Sequence, residues 1–360
     1  DIRDITVAYL EDFDDGWANV VRKYQHHMTA DELFTQRLTE GAPSEKMTFN
    51  VKTDEAANTV ADTFFDADDL NRTDLFRKGE VKWHFQKTHF VVDRREPVLR
   101  SGDKTRIFNY FEGLKNDMYD GFFEQNEVWS WTNPTAPNDG TTGKPLPFGI
   151  PHWIVNDANI STTVALTADT PTGTWSSGVG NITSANVPFW KNWQANYSSM
   201  DNDDFCKKLS SLMRKCHFKP PKPAKEENVA NFDKFALYSD ETPFEDYEDA
   251  LYGSNENVGE DMGRWRGGKP STEVGTHIFR GCKWRWVPAL SEAGDAQLSA
   301  SAVYAINWET FKVNSYGDLF MDMDDPLVID SQHNTLVQWM DTGWQMCCTN
   351  RRANGVLVQA

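Results

Sequence analysis

Between Trp83 and Leu99 the chain reads as extended backbone. Phe85, His89, Val91 and Val92 mix with Gln86, Lys87 and Thr88, and the run ends in the charged block Asp93-Arg94-Arg95-Glu96 and Pro97. Such a stretch belongs at a sheet edge or in a projecting hairpin. Past Ser101-Gly102-Asp103 the spacing of apolar residues changes. Ile107, Phe108, Phe111, Leu114, Met118, Phe122 and Phe123 recur at steps of three and four, one stripe of a helix capped by Ser101 or Asp103. From Lys104 to Trp129 it would measure roughly 40 Å at 1.5 Å per residue. Gly113 and Gly121 each weaken it by about 1 kcal/mol relative to alanine, so packing must hold it.

Around that helix the pattern is mixed. Residues 1 to 42 carry a short amphipathic stretch, Ile5 to Tyr24, and otherwise read as an arm that leans on something else. Met47-Thr48-Phe49-Asn50-Val51 alternates as a strand, and Val81 to Val92 is its expected return, a long two-stranded excursion that needs outside support. Asn133 to Pro151 is rich in Pro, Gly and Thr and reads as a junction. Residues 152 to 190 read as short strands and loops. Asp201-Asn202-Asp203-Asp204 opens a second helix that presents Phe205, Leu209, Leu212, Met213 and Cys216 on one face and stops before Pro220-Pro221. A third helix is expected near Pro243–Tyr252. Beyond Glu273 strands dominate, at 276–287, 301–308, 326–330 and 336–348. Helices and strands in separate stretches define an α+β class.

Composition narrows the function classes. The 360 residues suffice for one large domain or two modest ones. No apolar run approaches the ~18 residues of a membrane span. A formal net charge of -18 and the lack of a Lys/Arg-rich tract argue against tight nucleic-acid binding. Fourteen Trp and 22 Phe fit a chain that fills a large core or buries surface against partners. Cys206, Cys216, Cys282, Cys347 and Cys348 are too few and scattered for a disulfide scaffold and read as reduced thiols. The acidic start shows no signal-peptide pattern.

Catalytic templates mostly fail. Gly140-Thr-Thr-Gly143-Lys144 resembles part of a phosphate loop, but Pro145 stands where Ser or Thr is required. Gly173-Thr-Trp-Ser-Ser-Gly178 has the wrong spacing for a nucleophile elbow. The histidines and cysteines show no metal-site spacing, and the acid clusters Asp66–Asp69 and Asp322–Asp325 lack the glycine and distal glutamate of a calcium loop, so no cofactor or metal is expected. A carbohydrate-acting hydrolase with a carboxylate pair remains the alternative class, since Trp and Tyr stack on sugars and acids abound. A generic binding module is the third.

The order of these pieces, together with local phrases, resembles the major capsid protein of tailed bacteriophages, the Hong Kong 97-type fold. The phrases are Asp93-Arg94-Arg95-Glu96, Pro145-Leu-Pro-Phe-Gly149-Ile-Pro-His-Trp153, Asn192-Trp-Gln-Ala-Asn-Tyr197, Tyr247-Glu-Asp-Ala-Leu251, Asn255-Glu-Asn257-Val-Gly259-Glu-Asp261, Tyr304-Ala-Ile-Asn307-Trp308 and Asn350-Arg-Arg-Ala-Asn-Gly355-Val-Leu. The resemblance implies an N-terminal arm at 1–42, an E-loop hairpin at 43–100, a spine helix (101–131) and peripheral domain at 101–185, an axial domain at 186–335, and return strands of the peripheral domain at 336–360. It further implies a non-enzymatic subunit that self-assembles as pentamers and hexamers into an icosahedral shell around double-stranded DNA. The shell would be built in the host bacterial cytoplasm, with portal, scaffolding and decoration proteins as further partners. Asp1 would then be a maturation cleavage terminus. Arg94, Arg95, Glu96, Arg351 and Arg352 are the candidate intersubunit contacts, each weighed against an exposed ion pair worth ~0–1 kcal/mol. The family's crosslinking residues find no match here.

Overall fold

The computed structural model describes residues 27–36, 38–52, 76–93, 95, 104–134, 146–156, 160–171, 178–217, 234–252, 268–270, 276–292, 301–329 and 332–360. The amphipathic stretch Ile5 to Tyr24, Asp1, Asp66–Asp69, the Gly140–Lys144 segment, Arg94 and Glu96 lie outside them.

In chain order the elements begin with a short helix α1 (Met28–Asp31), continued by one wider turn to Gln36, and the strands β1 (Leu38–Gly41), β2 (Lys46–Lys52), β3 (Phe76–Lys82) and β4 (His84–Asp93). The long helix α2 (Lys104–Ser130) follows, then α3 (Ile150–Trp153), β5 (Ala165–Ala168), β6 (Asn192–Tyr197), α4 (Lys207–Lys215), β7 (Phe235–Ser239) and α5 (Glu241–Tyr252). The last part holds β8 (Gly268–Pro270), β9 (Thr276–Phe279), β10 (Cys282–Trp286), α6 (Ala289–Glu292) and β11 (Val303–Asn307). The chain ends with β12 (Phe311–Tyr316), β13 (Asp322–Met323), β14 (Leu327–Ile329), β15 (Gln332–Cys348) and β16 (Gly355–Gln359).

Three sheets organise these strands. An eight-stranded mixed sheet runs β5-β6-β16-β11-β7-β10-β9-β8. It is covered on both faces, which is why β7 and β11 are buried at every position. Phe235, Leu237, Val303, Ala305 and Leu357 face α4 and α5, where Phe205, Leu209, Leu212, Phe244 and Tyr247 meet them. Ala236, Tyr238, Tyr304, Ile306 and Val356 face the opposite way, into the larger core around Trp131, Trp153, Trp308 and Trp344. The start of the second helix is capped as its acids require: Asp201 Oδ1 accepts the amide hydrogen of Asp204 at 2.6 Å.

The six-stranded sheet is a ribbon built on the 17-residue β15. β12, β13 and β14 line one of its sides in succession, and β4 pairs along the other from Trp344↔His84 to Thr335↔Asp93. Helix α2 lies over this ribbon. Met118 and Phe122, from the expected apolar stripe, pack with Met340, Phe90 and Met323.

Here the sequence reading needs correction. The expected single return strand Val81–Val92 is two strands in two sheets: β3 pairs with β2, but after Trp83 the chain leaves the hairpin and β4 joins β15. Trp83 marks the switch because its indole is buried, edge-on to Tyr316 at 5.3 Å, which pins the backbone between the sheets. The β2–β3 stem is also less dependent on outside support than expected. Met47, Phe49, Val51 and Val81 sit in the protein's own core beside Trp153 and Trp190, and the Phe49 ring lies on Gly79, where any Cβ would fall 2.3 Å from it. The stretch 186–335 contributes strands to both large sheets, and of the last 25 residues β15 belongs to the ribbon while β16 inserts between β6 and β11.

Candidate intersubunit surface

The five charged candidates do not form one patch. Arg94 and Glu96 are outside the described residues. Arg95 is exposed at the turn after β4, where its amide donates to Asp93 Oδ1 at 2.9 Å. Arg352 is exposed, with its guanidinium 5.1 Å from the centre of the Phe189 ring, itself 58% exposed.

Arg351 is the correction among them, at 1% exposure. The short turn Arg351–Ala353 drives its side chain inward between β5, β6 and the α3 segment. There it donates to the carbonyls of Trp153 (2.8 Å), Trp190 (2.8 Å) and Asp169 (2.9 Å) and to Asn192 Oδ1 (3.1 Å). Its donors fasten loops of its own chain, so it has nothing to present to a neighbour. Burial pulls its pKa down to about 10, with Cys348 and Asp169 opposing, and it stays charged at neutral pH. Nothing in the Asn350-Arg-Arg doublet distinguishes the inward arginine from the outward one; the turn decides it.

Three features bear on how a copy could meet another. The first is the anchorage of the amino-terminal segment on α2. Glu127, near the end of that helix, accepts amide hydrogens from Thr29 (3.0 Å) and Ala30 (2.7 Å), while Trp131 Nε1 donates to Thr29 Oγ1 at 2.9 Å. Phe34 then packs edge-on against Trp344 at 5.0 Å. Desolvation raises the Glu127 pKa, with the two amides opposing. Sequence reasoning passed over Glu127, though an acid near a helix carboxyl end, against the dipole, is the kind of placement that signals a tertiary partner.

The second is the outward face of the β2–β3 stem. Lys46, Lys52, Lys78 and Lys82 stand on it with Phe76, which is 65% exposed, and Glu80, bonded to Lys46 at 3.0 Å. This is a basic strip on a strongly acidic chain. The third is the ribbon face turned away from α2, where Phe85, Val91 and Leu327 are exposed, His89 packs on Trp339 at 4.4 Å and Lys87 lies 5.2 Å over the same ring. Exposed apolar side chains gathered on one face make it a candidate docking surface.

Chemical groups are arranged for packing. All five cysteines are free and buried, with burial pushing Cys347 and Cys282 up to about 12 and Cys348 to about 11. Among the described residues no group of three or more His, Cys, Asp or Glu gathers as a metal site, and no helix is long and apolar enough to cross a membrane.

A long helix laid across a ribbon, a hairpin at its side and a mixed sheet wedged between helices define the Hong Kong 97-type fold of tailed-phage major capsid proteins. The chain is similar in fold to one from the capsid asymmetric unit of cyanophage A-1(L), with a TM-score of 0.60 at 12% identity over 99% of this chain and 98% of that one. It is similar as well to chains from the capsids of native and empty GTA particles. Each has a TM-score of 0.54, at 10% and 8% identity, over 98% and 95% of this chain and 96% and 98% of theirs. No family model and no curated protein sequence matches the chain.

Proposed function

We propose that this chain is a shell-building subunit, the major capsid protein of a tailed bacteriophage, whose copies assemble as pentamers and hexamers into an icosahedral container for double-stranded DNA. The observation that carries the reading is a fold match with a TM-score of 0.60 that spans 99% of this chain and 98% of a cyanophage capsid chain. Surface chemistry supports it. A net charge of -18 suits a wall that lets DNA move past without gripping phosphate. The basic hairpin face and the apolar ribbon face are unlike surfaces, which suits the head-to-tail contacts that close rings. In this reading the subunit is assembled in the bacterial cytoplasm and resides in the virion, with portal, scaffolding and decoration proteins as further partners, and 1–42, 43–100, 101–185, 186–335 and 336–360 act as arm, E-loop, peripheral, axial and return segments.

Negative-stain microscopy and light scattering of the purified chain over a range of concentrations test it. Rings of five or six, or closed particles, are the expected result. A chain that stays monomeric at every concentration, with and without the other virion proteins, overturns the reading.

A further inference from the structure

Two exposed patches at opposite ends of β15 match each other in chemistry. At one end, Arg352 lies over Phe189, and among the described residues no carboxylate pairs with it. The Arg351 clasp anchors the backbone beneath this knob: the neighbouring arginine bonds the carbonyl of Trp190, next to Phe189, so the two chain segments that carry the pair are tied to one buried group. An exposed arginine over an aromatic ring, carried on anchored backbone, has the composition of a binding hot spot.

At the other end, Asp322, Asp324, Asp325, Leu327 and Val328 are exposed on and between β13 and β14. Leu327 is 56% and Val328 47% exposed, and the three carboxylates make no ion pair among the described residues. The segment is nevertheless fixed in place. Asp324 donates its amide to the Trp339 carbonyl at 3.1 Å, and its own carbonyl accepts from Gln338 Nε2 at 3.0 Å. Acids followed at once by aliphatic side chains are the complement of a cation on an aromatic ring.

These patches cannot meet within one copy. Asp324 is bonded to β15 at Trp339, the knob follows Cys348, and about 30 Å of extended strand separates the two. We propose that the Arg352–Phe189 knob of one copy receives the Asp324-Asp325-Pro326-Leu327-Val328 segment of a second copy. This rests on the shell reading and goes beyond it by naming the two patches. In the shell reading the contact is head-to-tail, each copy offering one patch to one neighbour and accepting the other patch from the next, which builds rings or a lattice.

Charge exchange tests it. Arg352→Glu, and separately Asp324→Lys with Asp325→Lys, should each lower the assembled fraction seen by light scattering about tenfold or more, since like charges then face each other. The chain carrying all three changes should regain assembly, and an equal mixture of the two variant chains should regain it in even-membered rings, where the two alternate. All the altered side chains are exposed, so far-UV circular dichroism and melting temperature should match those of the unaltered chain. Phe189→Ala with Leu327→Ser probes the apolar half and should weaken assembly with unchanged charge. Variants that assemble as well as the unaltered chain, or a triple variant no better than its parents, overturn the pairing and leave the shell reading standing. An unaltered chain that never assembles overturns both.

Discussion

The carboxylate of Glu127 accepts the amide hydrogen of Ala30 at 2.7 Å, tying the amino-terminal segment to a helix 97 residues further on. With Thr29 bonded beside it and Trp131 closing from the other side, polar contacts fix the start of the described chain at the carboxyl end of α2. Removing the acceptor strands two amides, and a buried unsatisfied donor costs about 1–3 kcal/mol. Glu127→Ala should therefore lower unfolding stability of the unassembled subunit by about 2–4 kcal/mol. Glu127→Gln, which keeps one acceptor oxygen, should lose about 1 kcal/mol. Urea denaturation of both variants decides it, and an alanine variant within 0.5 kcal/mol of the parent would contradict the role assigned here.

Arg351 gives the sharpest contrast between a surface charge and an internal staple. An exposed ion pair is worth about 0–1 kcal/mol, whereas a guanidinium spread over four close acceptors from three chain segments cannot be replaced by the point charge of lysine. Arg351→Lys should cost about 3 kcal/mol or more and Arg352→Lys less than 0.5. Paired thermal melts of the two variants read the difference, and equal losses would place both arginines in the same environment.

Much of the architecture is legible in the sequence because it rests on periodicity. The stripe through Met118 and Phe122 and the acid-capped start at Asp201 both lie where the spacing of residues puts them. What eluded the reading depends on which strand a segment chooses as partner. Val81 to Val92 is uniformly extended, so no local signal reports that β3 and β4 divide at Trp83 between two sheets. Burial of Arg351 and the clip at Glu127 are likewise products of contacts over 97 residues or more, which a one-dimensional pattern does not carry.

Gly121 offers a stabilising change. It lies inside α2 on the exposed side, and a Cβ built there meets nothing within 4 Å. Alanine restores helix propensity and restricts the unfolded chain, together worth about 0.4–1 kcal/mol. Gly121→Ala should raise the denaturation midpoint of the unassembled subunit with no change in the slope of the transition. If stability is unchanged while assembly is lost, that face of α2 meets another copy closely enough to exclude a methyl group.

Acid should unfold the subunit, and His152 should account for part of the slope. Its ring is buried, stacks on Phe148 at 4.5 Å and bonds Asn133 Oδ1 through Nδ1 at 3.1 Å. Burial first, and the charge of Arg351 second, push its pKa from 6.5 down to about 3. Below pH 6.5 the unfolded chain takes up a proton that the folded chain refuses until about pH 3, so stability is intact above that window and falls as pH drops through it. The fall is about 1.4 kcal/mol per pH unit for one such group. Glu127, raised by burial, acts in the opposite sense above 4.5, and Asp204, held down to about 2, adds its loss only below 3.8. Comparing the parent with His152→Gln between pH 6.5 and 4.5 isolates the histidine. The variant starts less stable, because the stacked ring is lost, but its stability should depend on pH less steeply by about 1.4 kcal/mol per unit. Parallel pH profiles for the two chains would show that His152 is protonated as readily folded as unfolded.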